Sequence, residues 1–489
     1  MANNIELFQA EIDNALLNFK NANYHEAINI LDNLKKKLSH FIVYWYLGHS
    51  YFRIYDYSSA IDCIKKSIEL KGKDTLNLSF LAEIFLASNN YKEAIKLFKE
   101  VLENDKKNVN SLFNLAKAYS DLGELKTAEK YYNEVIKNEP TNTEAEYELI
   151  KINSKNLTND LIQKVDRLKV SEVLNNFNSI FSKFIIAENF KRNKDYKLEF
   201  DILLEAHSLY LKKKVNASNQ EFNYLTNLLP KFISKVKNTN VELNCNLKPI
   251  FIMGLPRSGT TLIENVISSS DSKINVGGEA GILSKVFFSN NIISNYNSKV
   301  LISNFNFKKD EFEILKASIL NQYQQQKIET DNGYFTDKSL ENILYIDLIS
   351  KIFPNAKFVY CKRNKYANLL GILKVFLPNL YWTHSVEKVI YMMNIYNNKI
   401  KDIISENKIN VKIVELENFS SNPKQVSQDL FNFLEINWND KVIDKSINKK
   451  KIVKTVSNLQ VRKEILAHNL SYLDNYLPFL KEYGIEKLN

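Results

Sequence analysis

The sequence predicts two architectures in tandem: an α-helical repeat solenoid in the N-terminal part, then an α/β domain built on a parallel sheet. Three observations predict this. Apolar and small residues recur with a period near 34 in the first 140 positions. Later, short apolar runs bounded by Pro and Gly alternate with helical patterns. The chain of 489 residues is also too long for one hydrophobic core, so a boundary must fall inside it.

The repeat is read from Tyr24-x-x-Ala27, Tyr57-x-x-Ala60, Tyr91-x-x-Ala94 and Leu125-x-x-Ala128, spaced by 33, 34 and 34 residues. Gly48, Ala82 and Ala116 each precede the alanine of their unit by 12 residues, and Ile64, Phe98 and Tyr132 follow it by four. Small residues let one helix approach the next, while bulky ones fill the space between neighbouring units. The pattern resembles the tetratricopeptide repeat over about residues 5 to 140, with Pro140 where that family often ends its second helix. The first unit departs modestly, with Ala15 at the small position. Phe184 to Tyr210 reads as a further, degenerate helix pair.

An Asn- and Lys-rich stretch near Asn216 to Asn246 marks the change of periodicity. The expected domains are residues 1–145 (repeats), 146–245 (a further helical repeat-like segment and linker) and 246–489. In the last, Lys248 to Met253, Ala356 to Cys361 and Val411 to Leu416 read as buried strands, each followed by a helical segment, which implies a parallel sheet.

The first strand runs into Gly254-Leu255-Pro256-Arg257-Ser258-Gly259-Thr260-Thr261 and then a helix. Strand, glycine loop and helix N-terminus make an anion cradle, because the free amides of the first helical turn face negative oxygen. The glycine spacing is that of a P-loop, yet Thr260 stands where the nucleoside-triphosphate motif requires lysine. A shorter, less charged phosphosulfate needs only hydroxyls, backbone amides and Arg257.

PIFIMGLPRSGTTLIE resembles the 5′-phosphosulfate loop of sulfotransferases, and is similar to the branch that holds tyrosylprotein sulfotransferases and bacterial tetratricopeptide-linked sulfotransferases. The resemblance extends in order over about residues 248 to 480. It implies 3′-phosphoadenosine 5′-phosphosulfate as co-substrate, held at its 5′ end by Pro256, Arg257, Ser258, Gly259, Thr260 and Thr261. It implies Glu279, in Val276-Gly277-Gly278-Glu279, as general base, since an attacking hydroxyl must lose its proton. Lys338, after Thr336-Asp337, then neutralises the departing phosphate beside Arg257, and Ser457, in Ser-x-x-Gln-Val, contacts the sulfuryl or leaving oxygens. Arg363 matches the arginine for the 3′-phosphate, which its forked guanidinium suits, and Arg462 supports the nucleotide. Here the chain departs from the family: Gly371 stands where a serine is expected, and Asn364-Lys365 replaces Asp-Pro. One phosphate contact is thereby lost, with Lys362, Lys365 or Asn368 to compensate, and serine at position 371 is expected to tighten binding slightly.

The net charge of +10 reads as a solvated Lys-rich surface, with no nucleic-acid motif. Cys63, Cys245 and Cys361 form neither a disulfide framework nor a metal spacing, and no metal is expected. With no signal peptide or apolar span in view, the expectation is a cytoplasmic enzyme off the membrane. Its acceptor is a hydroxyl of protein tyrosine, a saccharide or a metabolite, and the repeats supply a surface for a peptide or protein. Two rivals remain open: a P-loop kinase, and a repeat scaffold with an inactive nucleotide domain. Trp438, Tyr472, Tyr476 and Phe479 read as core, and His384 as a structural histidine.

Overall fold

The computed structural model describes residues 6–170, 176–296, 299–302, 305–330, 333–446 and 470–487. Within them the chain divides into two units: residues 1–118, 227–243 and 280–330 form one, and residues 119–226, 244–279 and 331–489 the other.

In the first unit the 34-residue period becomes antiparallel helix pairs: Gln9–Lys20 with Tyr24–Leu34, Phe41–Arg53 with Tyr57–Lys71, and Thr75–Ala87 with Tyr91–Asn104. Their starts are set locally, as Asp56 accepts from Ser59 N (3.2 Å) and Asp74 from Asn77 N (2.8 Å). The signature positions behave as their sizes require. Ala27, Ala60 and Ala94 are wholly buried, as are Ile64 and Phe98. A Cβ on Gly48 would lie 2.5 Å from Ile64 Cδ1, so a larger residue there would make the Ile64 side chain shift.

The same unit contains helices from much later in the chain, Ile282–Ser289 and Lys309–Gln325, joined to the inter-helix turns of the repeats. His25 Nε2 lies 2.7 Å from Phe288 O, Gln322 donates to Tyr55 O (2.9 Å), Tyr57 N donates to Gln325 Oε1 (2.8 Å), and Asn89 donates to Gln326 O (2.8 Å). Three successive turns are thus tied, each by backbone groups that side chains of a partner segment satisfy.

The second unit carries helices Leu125–Asn138, Thr143–Ile152, Asn159–Val170, Asn176–Arg192 and Tyr196–Asn223, the last two being the degenerate pair expected around residues 184 to 210. Asp195 caps the longest of these, and its helix breaks at Lys214. Six strands occur among the described residues: β1 (Lys248–Gly254), β2 (Ile293–Tyr296), β3 (Lys299–Ile302), β4 (Tyr334–Asp337), β5 (Lys357–Lys362) and β6 (Val411–Glu415). Strands β2 and β3 form a small antiparallel hairpin in the first unit. The other four make one parallel sheet in the order β4-β1-β5-β6.

Strand β1 is central and buried from Pro249 to Gly254, which explains its unbroken apolar run. On one face Ile250, Ile252, Val359 and Val414 pack with Ile263, Val266, Leu430 and Phe431. Each such side chain contributes about 1.5–3 kcal/mol by leaving water. The sheet is therefore a rigid base, and its C-terminal edge is where the chemistry-bearing loops emerge. Tyr472 corrects the core reading: it is exposed, whereas Tyr476 is buried and Trp438 packs edge-on against Phe431.

Candidate functional site at the sheet edge

The loop after β1 turns through Arg257, whose φ of 67° is left-handed and costs a side-chain-bearing residue about 1 kcal/mol or more. Ser258 N donates to Leu255 O (3.2 Å), and the helix Thr260–Ile267 follows. Ser258, Thr260 and Thr261 are all buried. Their hydroxyls sit at a helix N-terminus, where an anion is favoured.

Pairing of Gly254 with Cys361 brings the residues after β5 beside this loop. Arg363 Nη1 donates to Arg257 O (2.9 Å), and Asn368 Nδ2 to Pro256 O (2.7 Å). Asn364 caps the helix Lys365–Leu373 by accepting from Tyr366 N (3.0 Å) and Ala367 N (3.1 Å). The substitution of Asn364 thus keeps a cap at this position. Gly371 has a steric reason: a Cβ there would lie 3.2 Å from Arg363 Nη1 and 3.4 Å from Arg257 Cβ. A serine there would press on the Arg363 guanidinium, which would have to shift by a few tenths of an ångström.

Of the three candidates for compensation, Asn368 holds the loop, Lys362 pairs with Glu415 (3.0 Å), and Lys365 donates to Glu486 O (3.2 Å). A cavity of about 440 Å³ opens here, lined by Ser258, Arg363, Lys365, Asn368, Met393 and Glu417 among others. Its size is that of a small-molecule site. Burial, then the charge of Arg363, lowers the Arg257 pKa to about 10, so two cations crowd one place. Ser258 Oγ and Arg363 Nε are buried with no hydrogen-bond partner among the described residues. Buried polar atoms of this kind call for a partner, and an anionic nucleotide fits them.

On the other side of β1, Asn275 pairs with Phe335 of β4, and Lys338 N donates to Gly278 O (2.9 Å), so the segment bearing Glu279 runs alongside β4. Lys338 is wholly buried and its Nζ lies 2.8 Å from Glu279 Oε1, while the Glu279 side chain is 37% exposed. Asp337 accepts from Ser339 N (2.9 Å), Ser339 Oγ (2.6 Å) and Asn342 Nδ2 (2.9 Å), fixing the turn beyond Lys338. The Glu279 charge also acts on Arg257.

Sequence reasoning missed Glu264. This buried carboxylate, on the helix that leaves the loop, accepts from Gly278 N (3.0 Å) and Thr336 Oγ1 (2.7 Å). Burial raises its pKa, against the lowering influence of Lys338 and of these donors. The available signal was a lone acid inside the apolar run Leu262-Ile263-Glu264-Asn265-Val266-Ile267, on a helix that must cover a sheet.

The structure therefore brings Arg257, Ser258, Thr260, Thr261 and Arg363 to one part of the edge, and Glu279 and Lys338 to an adjoining part. Ser457 and Arg462 lie outside the described residues. His384 is buried, with its Nδ1 2.8 Å from His207 Nδ1 and its Nε2 3.0 Å from Leu377 O; burial, then His207, lowers its pKa to about 3. Among the described residues, no helix is long and apolar enough to cross a membrane, and no group of three or more His, Cys, Asp or Glu is placed to hold a metal ion.

A parallel sheet with a strand, glycine loop and helix at its edge defines an α/β domain with a candidate anion site at that edge. Residues 249–440 match the model of the Sulfotransferase family, and residues 85–149 that of the tetratricopeptide repeat. The chain thus carries a sulfotransferase-family domain together with tetratricopeptide repeats. An uncharacterized protein of Aquifex aeolicus (strain VF5) is 25% identical over 363 residues, which cover 69% of this chain and 46% of that protein, so the chain spans under half of that relative. Among solved structures, the Pseudomonas aeruginosa pilF structure is similar at 15% identity, covering 42% of this chain and 92% of that one, with a TM-score of 0.34. YrrB, described as a TPR protein with an unusual peptide-binding site, is similar at 14% identity over 42% of this chain and 91% of its own, with a TM-score of 0.27.

Proposed function

We propose that this protein is a sulfotransferase that moves the sulfuryl group of 3′-phosphoadenosine 5′-phosphosulfate to a hydroxyl acceptor by in-line displacement. The observation that carries the reading is the Arg257–Arg363 pair beside the buried Ser258 hydroxyl, at a loop with threonine in place of the P-loop lysine, inside a domain matched by the sulfotransferase family.

The donor supplies a sulfuryl group already activated as a mixed anhydride with phosphate. The amides of residues 256–261 and the hydroxyls of Ser258, Thr260 and Thr261 hold its 5′ end, and Arg363 takes the 3′-phosphate. Glu279 accepts the acceptor's proton as the new oxygen–sulfur bond forms and the bond from sulfur to the phosphate oxygen breaks. Lys338 and Arg257 stabilise the charge that collects on the departing phosphate, with Ser457 and Arg462 as their proposed helpers from outside the described residues. In this mechanism the Lys338–Glu279 contact occupies one carboxylate oxygen, and the other takes the acceptor's proton. Catalysis of this kind rests on positioning and electrostatics.

The acceptor belongs to the class of protein tyrosine, saccharide or metabolite hydroxyls, and the repeats are the part able to hold a peptide or protein. The test is ligand-induced stabilisation together with turnover. The 3′,5′-bisphosphate nucleotide should raise the melting temperature without metal, since a ligand that binds only the native state stabilises it. ³⁵S from labelled donor should pass to a member of a panel of phenols, sugars and tyrosine peptides. Stabilisation by ATP with Mg²⁺ and none by the bisphosphate would replace this reading with a kinase.

A further inference from the structure

The Glu264 carboxylate lies between the donor loop and the segment bearing the proposed base. It is carried by the helix Thr260–Ile267, whose first turn closes the loop, yet its partners belong elsewhere. Oε1 accepts from Gly278 N at 3.0 Å and from Thr336 Oγ1 at 2.7 Å, and Thr336 Oγ1 in turn accepts from Gly277 N at 3.0 Å. Thr336 N donates to Asn275 O (2.8 Å) and Lys338 N to Gly278 O (2.9 Å). Gly277 and Gly278 have no side chains with which to hold themselves, and a Gly-Gly segment is the costliest kind to order. Their amides are instead fixed by one buried acid and one buried hydroxyl. A buried carboxylate is expensive to desolvate, and apolar packing would fill the same space at lower cost. What the acid adds is a pair of aimed acceptor bonds, one residue before Glu279.

We infer that Glu264 is a positioning residue for sulfuryl transfer: through Gly278 and Thr336 it locks the Gly277–Gly278 segment and so fixes where Glu279 stands relative to the donor loop. The inference rests on the reading of Glu279 as base. Glutamine at position 264 still offers one oxygen to both donors, whereas alanine offers none. Thr336→Val removes the relay hydroxyl at nearly constant volume.

The test combines amide hydrogen exchange with turnover of ³⁵S-labelled donor, using the best acceptor of the panel above. Glu264→Ala should speed exchange at Gly277 and Gly278 by about tenfold or more, with exchange in β1 and β5 unchanged. It should lower kcat by about 10- to 100-fold, as a misplaced group does. Affinity for the 3′,5′-bisphosphate should stay within about twofold, because an interaction made only in the transition state leaves ground-state binding alone. Glu264→Gln should restore most of kcat. If Glu264→Ala does not fold, Thr336→Val should show the same exchange and kcat changes. In a Glu279→Gln background, Glu264→Ala should cost almost nothing further, because a residue that acts through another is not additive with it. Unchanged exchange at 277–278, or a full additional loss in that background, overturns the inference. If Glu279→Gln alone keeps full activity, the base assignment fails instead, and the exchange measurement still decides whether Glu264 locks the segment.

Discussion

The two sides of β1 at the sheet edge are built on opposite terms. Toward β4 the polar groups close on each other: Glu264, Thr336, Gly277, Gly278, Lys338 and Glu279 form a chain of bonds between 2.7 and 3.0 Å. Toward β5 the balance stays open, with Ser258 Oγ and Arg363 Nε unmatched among the described residues and the charge of Arg363 disfavouring that of Arg257. A closed network fixes geometry before anything binds. An open, cationic one gains its partners from an anion. On this division, substitutions toward β4 should act on turnover, and substitutions toward β5 on nucleotide affinity.

The sharpest way to break the division is at Lys338 and Glu279. Lys338→Met, which keeps the volume, should lower kcat by about 10²–10³, the usual loss when one stabilising donor is removed. Glu279→Gln should lower it by about a hundredfold. Neither should change bisphosphate affinity by more than a fewfold in calorimetry. A large loss of affinity in either would merge the two sides. The next effect belongs to Arg363. Arg363→Ala should weaken the bisphosphate by about 10- to 100-fold, from a charge-assisted bond worth about 1.5–3 kcal/mol. Adenosine 5′-phosphosulfate, which lacks the 3′-phosphate, should lose little; equal loss for both ligands would displace Arg363 from its role.

A smaller effect is expected at Gly371, and its direction reverses the expectation from the family pattern. Because a Cβ meets Arg363 Nη1 at 3.2 Å, Gly371→Ser should weaken bisphosphate binding by about two- to tenfold, by shifting that guanidinium. Tighter binding would mean that the arginine yields and the serine hydroxyl replaces its contact. The smallest effect concerns stability. The Glu264 pKa is raised above that of the unfolded chain, near 4.3, so its contribution is fully present below that value and is lost as pH rises through the folded pKa. Glu264→Gln should therefore melt a few degrees above the wild type at pH 8, with the difference shrinking toward pH 4. A constant difference across that range would separate it from ionisation.

Much of this was legible from local pattern. The repeats were readable because each helix pair restates the same small and bulky positions, and β1, β5 and β6 because buried strands are continuous apolar runs. Strand β4 escaped notice: its four residues, Tyr334-Phe335-Thr336-Asp337, are half polar and become a strand only by pairing with β1. Glu264 escaped for a related reason, since its partners lie 14 and 72 residues away. The family pattern marks Gly371 as a departure, but its closeness to the Arg363 guanidinium is visible only in three dimensions. Tyr472 reads as core on hydrophobicity alone, a weak guide for one aromatic residue near a helix end, and it is exposed.

The late helices within the repeat unit have a consequence for how the chain must assemble. The bonds joining Tyr55, Tyr57 and His25 to Gln322, Gln325 and Phe288 span 263 to 268 residues of sequence. During synthesis at about 5–20 residues per second, the first helix pairs emerge many seconds before the segment that satisfies their turns. A nascent chain in that interval displays Tyr55, Tyr57 and Asn89 without these partners, an opening for chaperones and for aggregation. A fragment that stops before residue 280 would carry the same open turns permanently, so the repeats are best released for study together with residues 280–330, by joining two stretches of sequence and not by cutting at one point.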